Sequence, residues 1–446
     1  MNGISTFSGL NTALRGILAQ QRALDVTSHN IANAETPGYS RQEAVMAAAP
    51  ALQLRAGALQ DGLGAQLGQG VDVQIYRRLR DDFLDLQWRA QNMTQGDQQA
   101  TAERLGQAEA VLADGSASSL GVMLDNFWGA WQSLANNPQT AAAKGGVIGA
   151  AENLVQRFKT LSADLTQVGT DANNEVTQLL GPQGPIQAAA TELARLNGAI
   201  STATKSGAQP NDLLDRRDLL LDQLSKYGQI SVIADTTPGN EGMVTVNFGG
   251  AATPLVNATT ASVPAAAALN NPGGRLGALQ QIGNPLTATP PGTIATYVDT
   301  LDQLANSVAT SVNAIHAGFF TGTTASTIAV AATTSTLSPG ATAAAGDNSI
   351  ALAVARLRGG SIDQAYAGFV QKVGGDVASA ENGQATAEQV VAALTERRQS
   401  VAGVSMDEEM TNMVRFQRGY QAAARALTTM DETLDTLINR TGRVGL

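Results

Sequence analysis

Residues 7–31 read FSGLNTALRGILAQQRALDVTSHNI. Leu10, Ile17, Leu24 and Ile31 recur every seven residues, Phe7 and Leu14 fill the alternate seam positions, and Gln21 and Ser28 continue the seam in polar form. Such a/d spacing marks a helix that lays one stripe against a partner helix. The run predicts a helix of about 28 residues, roughly 40 Å long at 1.5 Å per residue. The other end of the chain repeats the pattern. Met406, Met410, Met413, Gln417, Tyr420, Ala424, Leu427, Asp431, Leu434 and Ile438 alternate spacings of four and three. Ser405 with Glu408 has the spacing of a capping box. Asp407, Glu408 and Glu409 suit the positive end of a helix dipole, and Arg440 and Arg443 suit its negative end; Gly442 is a stop. Periodicity alone leaves two alternatives open: ordinary bundle helices, or exposed seams that need neighbouring subunits.

The composition removes other classes. The chain has 446 residues, a net charge of -10, no cysteine and two histidines. At about 100–200 residues per domain, two to four domains are expected. An acidic balance with 28 Lys+Arg argues against sequence-independent nucleic-acid binding. Without cysteine there are no disulfides, thiolates, iron–sulfur clusters or cysteine-ligated zinc. No apolar run approaches the roughly 18 residues of a membrane span, and the first residues lack the basic and apolar regions of a cleaved signal peptide. Residues 1–42 carry a net +1 and residues 401–446 a net -1, so the negative surplus lies in the middle.

That middle reads as a helical layer interrupted by a β-rich stretch. Helices are predicted over 81–113, 120–134 (stopped by Asn136-Asn137-Pro138), 144–168, 186–200 and 211–224. Gly181-Pro182 and Gly184-Pro185 break any helix crossing them. From Ile230 the period becomes two, as in Met243-Val244-Thr245-Val246-Asn247-Phe248, between Gly/Pro turns. Helix returns at 294–319, 349–358 and 364–398, with Thr327–Val330 as one arm of a hairpin. The expected fold is mostly α with an inserted β-rich domain. The divisions are 1–45 with 400–446 (paired terminal coiled-coil helices), 46–228 with 290–399 (an elongated helical domain with short β elements), and 229–289 (one outer β domain).

At the end of the first helix stands Ser28-His29-Asn30-Ile31-Ala32-Asn33-Ala34-Glu35-Thr36-Pro37-Gly38-Tyr39. Asparagines suit a helix C-terminus, Pro37-Gly38 forces a turn, and Tyr39 to Met46 can run extended. This stretch resembles the N-terminal signature of the bacterial flagellar axial family of rod, hook and hook-associated proteins. Its continuation Tyr39-Ser40-Arg41-Gln42 resembles the hook-associated branch that forms the hook–filament junction. Four further blocks are similar: Gly70–Val73 with Arg77, Arg78, Asp82-Phe83-Leu84 and Gln87; Phe127–Pro138 with its two tryptophans; Asn211–Asp218; and Val404–Glu409 with Tyr420–Arg425. The stretch 230–290 carries none of the resemblance.

The resemblance implies a structural, non-enzymatic subunit, exported unfolded by the flagellar type III route without signal cleavage. It would self-assemble outside the cell at the hook tip as a ring of about eleven copies. The terminal helices would form the inner tube, and the β domain would face solvent. Hook protein would lie below and hook-associated protein 3 above, with a cytoplasmic export chaperone masking the C-terminal helix. No cofactor, nucleic acid or membrane insertion is implied. The expected assembly interface comprises Phe7, Leu10, Leu14, Ile17, Leu24, Asn30, Ile31, Asn33, Thr36, Pro37, Gly38, Tyr39, Met406, Met410, Met413, Tyr420, Leu427, Leu434 and Ile438. The alternatives are the second junction protein or a flagellin-like subunit, against which Tyr39–Gln42 and the tryptophan helix argue. An enzyme reading needs two acids in one pocket. Asp235 and Glu241 are the only acids between 230 and 290.

Other residues have plainer readings. His29 and His316 fit capping or solvated roles better than metal ligation. Trp128 and Trp131, three apart on one helix, fit core packing. Asp81-Asp82, Asp212 with Asp215, and Asp407-Glu408-Glu409 fit solvated or helix-dipole positions. Gly62-Leu63-Gly64 and Gly68-Gln69-Gly70 lack the strand-then-helix context of a phosphate loop.

Overall fold

The computed structural model describes residues 8–54, 65–112, 115–342 and 344–436. Helix α1 (Ser8–Ala32) leads through a turn into β1 (Gln42–Ala48), β2 (Leu52–Leu54), β3 (Ala65–Leu67) and β4 (Val71–Arg78). These strands form an antiparallel ribbon: β1 pairs with β4 from Gln42↔Arg78 to Ala48↔Val71, with a bulge at Val45/Met46, and β2 pairs with β3. The ribbon lies along α1. Gly70 has φ +90°, and a Cβ there would stand 3.2 Å from the Thr12 carbonyl oxygen, so close approach and backbone conformation both require glycine.

The helical body follows as α2 (Asp82–Leu112), α3 (Leu120–Asn136), α4 (Ala141–Leu180), α5 (Pro185–Lys205) and α6 (Asn211–Ser225). The α4–α5 break falls on the two Gly-Pro pairs, and Pro185 occupies the first turn of α5, where its missing N–H costs nothing. Strands β5 (Ile230–Ala234), β6 (Val244–Phe248), β7 (Val256–Asn257) and β8 (Thr260–Ala261) form an antiparallel sheet in chain order. Its period of two is visible in burial: Val244, Val246 and Phe248 are buried, with Thr245 and Asn247 between them more open. Then come α7 (Gly274–Gly283), α8 (Thr293–Ile315), the short hairpin β9 (Phe320–Thr321) with β10 (Ala329–Val330), α9 (Ser349–Ala355), α10 (Ser361–Ala402) and α11 (Met406–Asp435).

Two features differ from the expectation. Helix α7 lies inside the stretch read as β-rich; Leu276, Leu279 and Ile282 recur every three residues and are buried. The sheet and α7 also share one continuous core with α2, α4 and α8. The stretch 229–289 is thus a β-containing part of the helical body and has no core of its own. Its buried side chains, Val244, Val246, Phe248, Leu255 and Val256 among them, join the core of the helices.

The core centres on α3. Phe127, Trp128 and Trp131 are fully buried. Phe127 and Trp131 meet at near-perpendicular rings 6.3 Å apart, and Phe319 packs 5.3 Å from Trp131 and 5.9 Å from Phe127, geometries that favour aromatic pairs. Trp128 donates Nε1–H to Asp363 Oδ1 at 3.2 Å. Trp131 Nε1 has no partner among the described residues. His316, 8% exposed, accepts the Ser338 amide on Nε2 at 3.2 Å.

Candidate assembly joint

Helices α1 and α11 pair antiparallel, and the register is legible from close contacts. A Cβ on Gly9 would meet Met430 Sδ at 2.9 Å, one on Gly16 would meet Ala423 Cβ at 3.6 Å, and one on Gly419 would meet Gln20 at 2.8 Å. The buried face of α1 is Ala13, Ala19, Ala23, Thr27 and Asn30. Small side chains let the two backbones approach closely. The Leu/Ile heptad therefore does not face α11, as a simple pairing of the two seams would require. Leu14 is 46% exposed and Leu18 43%, while Leu10, Ile17, Leu24 and Ile31 are half-buried. On α11, Met406 (47%), Met410 (52%), Val414 (46%) and Tyr420 (39%) are exposed, and Met413, Leu427 and Leu434 are half-buried. Phe7 and Ile438 lie outside the described residues.

The pair is locked where α1 ends and α11 begins. Asn30, 1% exposed, uses its whole amide. Nδ2 donates to Gln42 O at 2.9 Å and Glu409 Oε2 at 3.1 Å; Oδ1 accepts from Tyr39 Oη at 2.7 Å and Gln42 N at 3.0 Å. Arg41 donates Nε to Glu409 Oε1 at 2.7 Å and Nη1 to Glu408 Oε2 at 2.6 Å. Its backbone N–H reaches Ala402 O at 2.9 Å. Ser405 caps α11 through the Glu408 amide. The dipole role expected of Glu409 is therefore corrected: it is 1% exposed and buried against a cation and an amide, which offset the cost of burying a carboxylate.

The turn itself is built from its own side chains. Asn33 Nδ2 donates to His29 O, the Thr36 amide and hydroxyl return to Asn33, and the Tyr39 amide reaches Thr36 O. Gly38 has φ +81°, with Leu219 of α6 3.0 Å from where a Cβ would stand. Asn33 and Tyr39 are half-buried; Thr36, Pro37 and Gly38 are exposed. His29 lies 3.4 Å from Asp212 and edge-on to Tyr39. Burial and the nearby carboxylates of Asp212, Asp215 and Glu409 push the Tyr39 hydroxyl well above its ordinary pKa, so it stays a hydrogen-bond donor.

Helix α6 ties this turn to the body. Asp215, Asp218 and Asp222, spaced three and four apart, share one face. The Ser40 amide donates to Asp215 Oδ2 at 3.0 Å. Arg78 reaches Asp215 and Asp218 at 2.8 and 2.9 Å, and Arg80 reaches Asp85 at 2.7 Å and Asp218 at 3.2 Å. Arg89 pairs with Asp222 at 2.6 Å; Arg398 of α10 bridges Asp85 and Asp222 at 2.8 and 2.7 Å. The solvated role expected of Asp215 is corrected too, because it is 5% exposed. Spacing alone could have placed these acids on one face; it could not name their arginines, which come from a strand end and two distant helices. Asp81 caps α2 by accepting the Phe83 and Leu84 amides. Asp235 and Glu241 accept amides within one turn.

Burial opposes charge on Asp218, but Arg80, Arg78 and Arg89 outweigh it and hold the carboxyl below its ordinary range. A folded pKa below the unfolded one stabilises fully above about pH 4 and is lost as pH falls through the folded value. Protection of the α6 amides, relative to intrinsic exchange at each pH, is therefore expected to fall as pH is lowered below about 4, and Asp218→Asn should flatten that response. Exchange equally pH-dependent in the variant would contradict it.

Between the turn, α2, α6 and the α10–α11 junction lies a cleft of about 1110 Å³. Among the described residues no group of three or more His, Cys, Asp or Glu could hold a metal ion, and no helix is long and apolar enough to cross a membrane.

The terminal helices thus pair with each other, leave apolar side chains outside and lock onto the helical body. Residues 10–39 match the family described as "Flagella basal body rod protein", and residues 398–440 match "Flagellar basal body rod FlgEFG protein C-terminal". Both descriptions are of flagellar proteins. Residues 105–272 match "Flagellar hook-associated protein FlgK helical domain". Flagellar hook-associated protein 1 of Bacillus subtilis (strain 168) is 31% identical over 511 aligned residues, 98% of this chain and 99% of that protein. The same-named protein of Escherichia coli (strain K12) is 26% identical, over 96% of this chain and 99% of that protein. A solved structure, the flagellar hook junction protein FlgK from Burkholderia pseudomallei, superimposes with a TM-score of 0.43 at 21% identity, covering 52% of this chain and 44% of that one. The chain belongs to the flagellar hook-associated protein 1 family, a family of structural flagellar proteins.

Proposed function

We propose that the chain is a hook–filament junction subunit that self-assembles at the hook tip, outside the cell. The carrying observation is the apolar stripe of Leu14, Leu18, Met406, Met410, Val414 and Tyr420, which stays exposed after α1 and α11 have paired. A helix pair with a second uncovered stripe is suited to packing against further helix pairs, since each buried Leu or Met contributes about 1.5–3 kcal/mol. The interface would comprise this stripe, the half-buried heptad residues and the exposed turn at Thr36–Gly38. Asn30 and Tyr39 would act from beneath by fixing the turn's shape. In this reading about eleven copies close a ring, with hook protein on one side and hook-associated protein 3 on the other. Before export by the type III route, a chaperone covers α11, whose methionines suit two successive partners.

Removal of residues 1–40 or 405–446 is expected to leave the body folded and to abolish incorporation into flagella. Complementation of a strain lacking its own copy, with filaments counted by electron microscopy, tests this. Filament growth at the parental level by either truncation would overturn it.

A further inference from the structure

The two most exposed large hydrophobic side chains among the described residues are neighbours on α2: Phe83 at 66% and Leu86 at 63%. At 100° per residue they share one face, with Asp82 beside them. The opposite face of the same helix, Leu84, Asp85 and Trp88, forms a wall of the 1110 Å³ cleft. The cleft is also lined by Pro185, Ala189 and the half-buried Leu219, together with Lys226. Neither Asp82 nor Lys226 makes a side-chain ion pair or hydrogen bond among the described residues. One chain thus carries an apolar knob flanked by a free carboxylate, and, across one helix diameter, a concave site that mixes apolar side chains with charged ones and includes a free ammonium.

We propose that Phe83 and Leu86 of one copy seat in this cleft of the next copy, with Asp82 pairing to its Lys226. The proposal rests on the self-assembly reading above and adds a specific contact to it. A knob and a hole on different faces of one subunit make a heterologous, head-to-tail contact, the type that generates a ring when the rotation closes. A two-fold dimer would require one self-complementary patch, and the knob and the hole are separate. The opposite charges beside knob and cleft favour a second copy over an unrelated apolar partner. The contact also lies beside the turn and the α10–α11 junction, so it joins the body of one copy to the joint of the next.

The chain has no cysteine, so an introduced pair reports only on itself. Phe83→Cys and Leu219→Cys copies are co-expressed in a strain lacking its own copy, and isolated flagella are oxidised. A disulfide-linked dimer is expected from the mixture and not from either variant alone. If both variants enter flagella without forming that dimer, or if Phe83→Cys links to a different protein, the contact is overturned while the assembly reading stands. If the cysteine-free parent itself is absent from flagella, the assembly reading fails. Charge reversal provides the second measurement. Asp82→Lys and Lys226→Asp should each reduce incorporation, and the double variant should restore it. Parental incorporation by both single variants, or no recovery in the double, overturns the pairing. All substituted side chains are exposed or half-buried, so circular dichroism of the purified chains should be unchanged.

Discussion

Glu409→Ala is expected to release the start of α11 from the end of α1 while leaving the helical body intact. The carboxylate is 1% exposed and answers two donors, Arg41 Nε and Asn30 Nδ2. Removing it strands the Arg41 guanidinium against Glu408 alone, on the exposed side. Breaking one partner of a buried pair costs about 3–5 kcal/mol. Much of the α1–α11 contact face is small, with Ala13, Ala19 and Ala23 buried on α1, so little apolar area offsets the loss. Hydrogen exchange should therefore quicken by about two to three orders of magnitude at the amides of 30–42 and 406–416, with α3 and α4 unaffected. Glu409→Gln keeps one acceptor and should lose less. Protection in the Ala variant equal to the parent would show that the lock is not where the hydrogen bonds put it.

Trp131→Ala is the second large effect, and it falls on the body. The indole is fully buried among Phe127, Phe319 and His316, and truncating such a side chain costs about 3–5 kcal/mol. The informative comparison is Trp131→Phe. Trp131 Nε1 has no acceptor among the described residues, so phenylalanine removes an unpaired buried donor along with some volume. The loss should be much smaller than for Ala. At Trp128, Phe would instead break the bond to Asp363. Denaturant unfolding followed by Trp fluorescence of the remaining indoles should rank Trp131→Phe above Trp131→Ala by about 2 kcal/mol or more; equal losses would count against this account.

These two sites also mark how far sequence reasoning reached. The tryptophans were legible as core because Phe127, Trp128 and Trp131 recur at helical spacing before Asn136-Asn137-Pro138. The α4–α5 break was legible because proline lacks the donor a helix needs. The pairing face of the terminal helices was not. Hydropathy singles out Leu10, Leu14, Ile17 and Leu24, whereas close antiparallel packing is made by Gly9, Ala13, Gly16 and Ala23, which a hydrophobicity pattern ranks low. Glu409 was hidden for a related reason. In a run of three acids at a helix start the dipole explains all three equally, and only the position of Arg41 distinguishes the one that is buried. Helix α7 was hidden by its brevity inside a stretch rich in Gly, Pro, Ala and Thr.

The constant register of α1 against α11 has a mechanical consequence. Contacts run from Asn30–Glu409 at the lock to Gly9–Met430 at the far end, and 21 helical residues span about 32 Å. The pair is a lever whose fulcrum is a cluster of hydrogen bonds a few ångströms across. A rotation of about 10° at that fulcrum carries the far end by about 5 Å, one helical turn. In the proposed assembly, small differences at Arg41 and Asn30 would therefore become whole-residue changes in which side chains of neighbouring levers meet. In the proposed assembly, torque delivered along the lever would return to these bonds, to the ribbon that lies along α1, and beyond them to the arginine–aspartate network that anchors α6.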